Sequence, residues 1–303
     1  MADFIEILAQ QTEVLALIAV VVGVSVGSFL NVVIMRLPKM MQATWQRDCV
    51  ELLRETAPAH PGGAPDESLV SKDSSLSLSA PPSTCPHCGH RIRAYENIPI
   101  LSYLLLGGRC SNCKALIGLR YPLVEGLTAL LTLAVALQFG MSWQLPAALL
   151  LTWALIALAL IDYDHQLLPD SITLPLLWLG LLLSLFDIFT DSHAALIGAI
   201  AGYLSLWTVF QLFRLLTGKE GMGYGDFKLL AMFGAWLGWQ LLPQIVLMAT
   251  VAGASYGVLL LITGQQQRAQ PLPFGPFLAI AGWISLLWGD AINAAYLQVS
   301  GLS

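Results

Sequence analysis

Gly221-Met222-Gly223-Tyr224-Gly225-Asp226-Phe227-Lys228 sets three glycines in alternation ahead of one acid, which opens a run that is apolar past Lys228 as far as Trp239. Glycine tolerates a positive φ and close backbone approach. The stretch therefore reads as a tight turn that places a carboxylate at a helix start, where the positive end of the helix dipole favours it. A carboxylate beside a long apolar run is expensive and points to function. The plainer alternative is an N-cap aspartate after a flexible loop. A second acidic stretch weighs against that alternative: Ile161-Asp162-Tyr163-Asp164-His165-Gln166-Leu167-Leu168-Pro169-Asp170 also closes an apolar run.

The 303 residues are 56% hydrophobic and only 11% charged, whereas a soluble domain carries about 25% charged residues. An integral membrane protein is expected. Apolar runs fall at 14–35, 121–139, 145–162, 172–189, 194–216, 227–240, 243–263 and 274–297. A crossing takes about 20 residues, so every run but the short 227–240 qualifies. The N-terminus is acidic (Asp3, Glu6, Glu13) and lacks the basic region of a cleaved signal peptide, so the first run reads as a retained span. With the N-terminus outside and 227–240 crossing, all 14 Lys and Arg fall on the cytoplasmic side. Eight spans, the sixth short, are therefore favoured over a re-entrant 227–240.

The expected fold is an all-α polytopic membrane protein, a bundle of about eight transmembrane helices with a small cytoplasmic loop domain. Residues 1–36 form the first span, 37–120 the loop domain and 121–303 the remaining bundle. Within the loop, 39–55 sets Met41, Trp45, Cys49, Leu52 and Leu53 along one side at helical spacing. This fits either an interfacial amphipathic helix or one packed on the loop domain. Residues 56–84 are rich in Pro, Gly, Ser and Ala and read as a disordered insert.

Cys85-Pro86-His87-Cys88 and Cys110-Ser111-Asn112-Cys113 follow, separated by residues 89–109. Paired CxxC motifs at this spacing read as a zinc site with Cys85, Cys88, Cys110 and Cys113 as ligands. A disulfide is disfavoured on the cytoplasmic side. Four thiolates leave no open position, so the site is structural and pins a loop with little apolar core.

In this topology Asp162 ends the third span and Asp226 begins the sixth on the same membrane face. Two close carboxylates share a proton, so one can act as base on water while the other donates to a carbonyl, as in aspartyl-protease chemistry. Alternatively the two turns are solvated and far apart, or the acids form a proton path in a transporter. A transporter calls for polar groups deep inside the spans, and these are scarce. A membrane scaffold whose zinc loop only docks a partner leaves the Gly-x-Gly-Asp stretch without a purpose.

Taken together, several stretches make the chain resemble the type IV prepilin peptidases, a family of GxGD-type aspartic proteases. They are Gly27 to Pro38, Cys85 to Cys88, Asn97 to Tyr103, Gly108 to Cys110, Arg120 to Glu125, Ile161 to Asp170 and Gly218 to Lys228. The resemblance implies cleavage of a short basic leader after Gly, at the cytoplasmic face of the bacterial inner membrane. It implies prepilin and pseudopilin substrates and two catalytic aspartates, which carry over to Asp162 and Asp226. It also implies N-methylation of the new terminus from S-adenosylmethionine, for which no Gly-rich fingerprint is present. Glu96, Asn97, Glu125 and Arg109 lie near the loop–membrane junction; contact with cofactor or substrate is one reading of them, and a structural role is the favoured one. Membrane lipid is the other expected partner, and no nucleic acid is.

Asp162 is preferred to Asp164 on three grounds. Residues two apart on a helix point about 200° apart, so only one can face Asp226. Asp162 is nearer the apolar span, whereas Asp164 sits beside His165 in the more polar part. The Ile-Asp pair and the spacing to Asp226 also match the family's first aspartate. Asp170, after Pro169, reads as the N-cap of the fourth span.

Overall fold

The computed structural model describes residues 12–56, 77–219, 221–264 and 272–300. Their α-helices are α1 (Thr12–Thr56), α2 (Leu101–Leu105), α3 (Arg120–Phe139), α4 (Gln144–His165), α5 (Asp170–Ser184), α6 (Ser192–Thr217), α7 (Tyr224–Leu237), α8 (Leu242–Ile262) and α9 (Gly275–Ser300). The only β-pairing among the described residues is two isolated bridges. Among the described residues six helices are long and apolar enough to cross a membrane: α1, α3, α4, α6, α8 (extended back to Trp239) and α9. The all-helical polytopic class is as the sequence predicts, but α5 and α7 fall short of spanning length.

The reasons differ. The apolar run at 172–189 extends past its helix: α5 stops at Ser184, and Asp187 turns the chain with φ 51. α7 has only 14 residues, about 21 Å at 1.5 Å per residue, against about 30 Å of hydrocarbon. Every residue from Asp226 to Trp236 except Lys228 is buried. A helix that is apolar all round belongs inside a protein. α7 is thus a short core helix packed on α5, α6, α8 and α9.

The chain divides into two compact units, Val21–Leu130 and Met1–Val20 with Leu131–Ser303. In the second of these, α6 and α7 meet backbone to backbone. A Cβ on Gly234 would overlap the carbonyl group of Gly198, and one on Gly202 would lie 2.7 Å from the Leu230 oxygen. Small residues allow such approach where lipid provides no hydrophobic drive between helices. Phe210, Tyr224 and Phe227 stack with ring centroids 5.3–5.6 Å apart and fasten the start of α7 to α6. The buried indole N–H of Trp236 donates to the Leu176 carbonyl at 2.7 Å, tying α7 to α5.

In the Val21–Leu130 unit, α1 continues without a break from its apolar half into the loop, through Pro38, to Thr56. The span and the amphipathic segment are one helix. On the loop half Trp45, Cys49, Leu52 and Leu53 are exposed. The insert predicted at 56–84 lies outside the described residues from 57 to 76. Its end is placed: the Arg36 guanidinium donates to the Ser77 and Pro81 carbonyls at 2.9 and 2.8 Å.

Candidate active site and metal centre

α4 stays helical through Asp162 and Asp164 to His165, then closes with Gln166 in the left-handed region, whose N–H returns to the Asp162 carbonyl. The two acids therefore diverge as helix geometry requires: Asp162 is buried and Asp164 exposed. The Asp162 carboxylate takes the Gly275 N–H at 3.1 Å, from the first residue of α9. Gly275 has no room for a side chain, since a Cβ would sit 2.6 Å from Asp162 Oδ2.

Of the two properties of glycine that the sequence offers in the Gly-x-Gly-Asp stretch, positive φ and close approach, the structure uses the second. Gly223 is the N-cap with φ −78, and Asp226 is the third residue of α7. An acid at this position reaches back to the N-cap N–H, and Gly223 donates to the Asp226 carboxylate. Among Gly221, Gly223 and Gly225, none has positive φ. The glycines serve close approach instead: a Cβ on Gly225 would lie 2.7 Å from the Leu168 Cβ. Leu168 is buried between Gly225 and Gly275, at the turn between α4 and α5.

Asp162 and Asp226 are each 6% exposed, and their charges act on one another. Asp226 Oδ1 is buried with no hydrogen-bond partner. Such an atom in a folded interior calls for an explanation, a catalytic role among them. Just outside, Lys228 Nζ donates to both Asp170 oxygens at 2.8 and 2.7 Å, joining the starts of α7 and α5. Asp170 is therefore not the N-cap read from sequence; the cap position is Pro169, and the carboxylate is committed to Lys228. Nothing local in the sequence marks Gly275 or Lys228 as partners of these acids.

In the Val21–Leu130 unit the four cysteines converge, with their sulfurs all within 4.8 Å of one another. The two knuckles repeat one geometry. Cys85 N–H donates to His90 and Cys110 N–H to Ala115, each at 2.9 Å. The residue after each second cysteine, Gly89 or Lys114, has a positive φ of 69 or 59 and returns its N–H to the first cysteine. A tetrahedral zinc with Zn–S of about 2.3 Å sets its sulfurs about 3.8 Å apart. The Cys85–Cys113 separation is 3.8 Å, and all four thiols are free of disulfides. The donor set fits a metal of this kind.

A multi-pass membrane protein with its polar centre at the ends of buried helices is the class these features define. The family described as Type IV leader peptidase family matches residues 149–258, which hold both aspartates. The one described as Bacterial Peptidase A24 N-terminal domain matches 21–139, which hold the cysteines. Relatives named "Prepilin leader peptidase/N-methyltransferase" are 55% identical in Stutzerimonas stutzeri, over 98% of this chain and 99% of theirs. The Pseudomonas aeruginosa relative is 54% identical over 98% of each chain, and that of Aeromonas hydrophila 54% over 90% of each. No solved structure matches. The chain belongs to the type IV leader peptidase family.

Proposed function

We infer that this protein removes the leader from type IV prepilins and pseudopilins and then methylates the exposed amine. The observation that carries the peptidase reading is the buried pair Asp162 and Asp226, with Asp226 Oδ1 left without a partner. One carboxylate takes a proton from water as its oxygen attacks the scissile carbonyl, and the other donates a proton to the carbonyl oxygen. The Gly275 N–H holds Asp162 in place, and the Gly223 N–H holds Asp226. Neither carboxylate has to find its orientation during the reaction, which is how fixed geometry lowers a barrier.

The labour divides along the chain, with peptidase chemistry in Leu131–Ser303 and the cysteine cluster in Val21–Leu130. Zinc is the metal best suited to four thiolates in a closed tetrahedron, and it serves the loop fold. S-adenosylmethionine supplies the methyl group as a sulfonium. When bound, it would meet the new terminal amine, which must give up its proton before it can accept the methyl group. The protein lies in the bacterial inner membrane with its N-terminus outside and the loop cytoplasmic, as the ten Lys and Arg from Arg36 to Arg120 support.

The test is incubation of purified protein with a purified prepilin, with and without S-adenosylmethionine. Leader loss in both cases, and methylation only with the donor, is expected. An uncut prepilin in lipid and in detergent would end the reading.

A further inference from the structure

A cavity of about 450 Å³ lies wholly within the Val21–Leu130 unit. Its size falls within the range of small-molecule sites, roughly 300–1,000 Å³. Glu125 and Glu96 stand on its wall with Arg36, Lys39, Ser28 and Tyr121.

Glu125 is the unusual member. It is 7% exposed and sits near the start of the apolar helix α3. Its carboxylate accepts the Ile100 N–H at 2.7 Å and the Ser28 hydroxyl. Both donors are neutral, whereas buried charges are ordinarily paired with an opposite one. The backbone gives up comfort to hold this carboxylate. Ile100 sits at φ 57, ψ −48, a true outlier for a β-branched residue, and strain of this kind gathers at ligand clamps.

We propose that this cavity is the S-adenosylmethionine site, with Glu125 paired to the cationic part of the cofactor. Lys39, exposed at the cavity wall, faces its carboxylate, and the Tyr121 ring offers a surface to the adenine. The proposal rests on the methyl-transfer reading above. Both signs of charge together with an aromatic ring match a ligand that carries a sulfonium, an ammonium, a carboxylate and a purine. A cavity this large does not suit a lone metal ion. Cys85 and Cys110 line one side of the cavity and Glu96 touches the metal loops at His90, whereas Glu125 is held by Ile100 and Ser28; the peptidase match at 149–258 leaves this half of the chain for the second activity. Glu125, for which the sequence alone favours a structural role, is thereby given a ligand.

The experiment is equilibrium dialysis of S-adenosylmethionine against the full-length protein in detergent, comparing wild type with Glu125→Gln. Glutamine keeps an oxygen for the Ile100 N–H and removes only the charge, so affinity should fall roughly tenfold or more. Photolabelling of wild type with the radiolabelled cofactor, followed by peptide mapping, covers the case of a variant that does not fold. Label on peptides spanning 28–39 or 96–125 supports the site. Binding untouched by Glu125→Gln, or label confined to peptides from 131–300, overturns it while leaving methyl transfer intact. A wild-type protein that neither binds the cofactor nor methylates overturns both.

Discussion

Asp162 and Gly275 are joined by a 3.1 Å hydrogen bond across 113 positions of sequence, from the end of α4 to the start of α9. The glycine is there for space as much as for its N–H. Gly275→Ala would push a methyl group to 2.6 Å from Asp162 Oδ2, turning the carboxylate away. Leader cleavage should drop on the order of a hundredfold, the cost of a misplaced catalytic group. Metal content should stay unchanged. Turnover of a prepilin by the purified variant measures it, and near-wild-type cutting would remove Asp162 from the reaction.

Asp162→Asn and Asp226→Asn should each abolish cleavage in a protein that still folds, whereas Asp164→Asn should lose only part of its activity. The exposure of Asp164 beside the burial of Asp162 motivates the contrast. An inactive Asp164→Asn next to an active Asp162→Asn would reverse the assignment.

Metal analysis should find about one zinc per chain. Cys110→Ser should lose it and open the loop to limited proteolysis, because the two knuckles share no other covalent tie. Full zinc occupancy in Cys110→Ser would remove that cysteine from the ligand set.

Gly234→Ala should lower the unfolding temperature sharply. The added methyl group meets the Gly198 backbone, which cannot yield as a side chain can. Overpacking of this kind takes away about 1–3 kcal/mol or more. Thermal unfolding in detergent reads the shift, and an unchanged midpoint would contradict the close approach of α6 and α7.

A pH dependence attaches to Asp191, the N-cap of α6. The N–H groups of Ala194 and His193 hold its carboxyl below the usual carboxylate range. A lowered folded value means that the contribution is complete above the unfolded value, near 3.9. It is lost as pH falls through the folded value. Asp191→Ala should therefore unfold earlier than wild type at pH 7, and the gap should close in acid. A gap that widened on acidification would reverse the sign.

The cysteine cluster was legible because its spacing is local, two knuckles each complete within six residues of chain. Asp162 and Asp226 were legible because each closes or opens an apolar run. Their supports were not. The Gly275 bond depends on where α9 begins relative to α4. The role of Asp170 was misread because Lys228, its partner, lies 58 positions away. Hydropathy reports how apolar a segment is, not whether lipid or protein surrounds it, which is why α7 looked like a crossing; nor does it report where a helix stops, which is why α5 did. Glu125 looked structural because its cavity exists only once α1, the loop and α3 are assembled.

The burial of α7 bears on how the protein is made. A helix of 14 residues that turns nearly its whole surface to neighbouring helices has little to offer the lipid on its own. It carries Asp226 and Lys228 at its leading end, which oppose stepwise entry into the bilayer. Its place is created by α5 and α6, which precede it, and is completed by α8 and α9, which follow. Assembly is therefore closed by the last helix: the N–H that holds Asp162 comes from Gly275, so a nascent chain cut short before Gly275 lacks a complete pair.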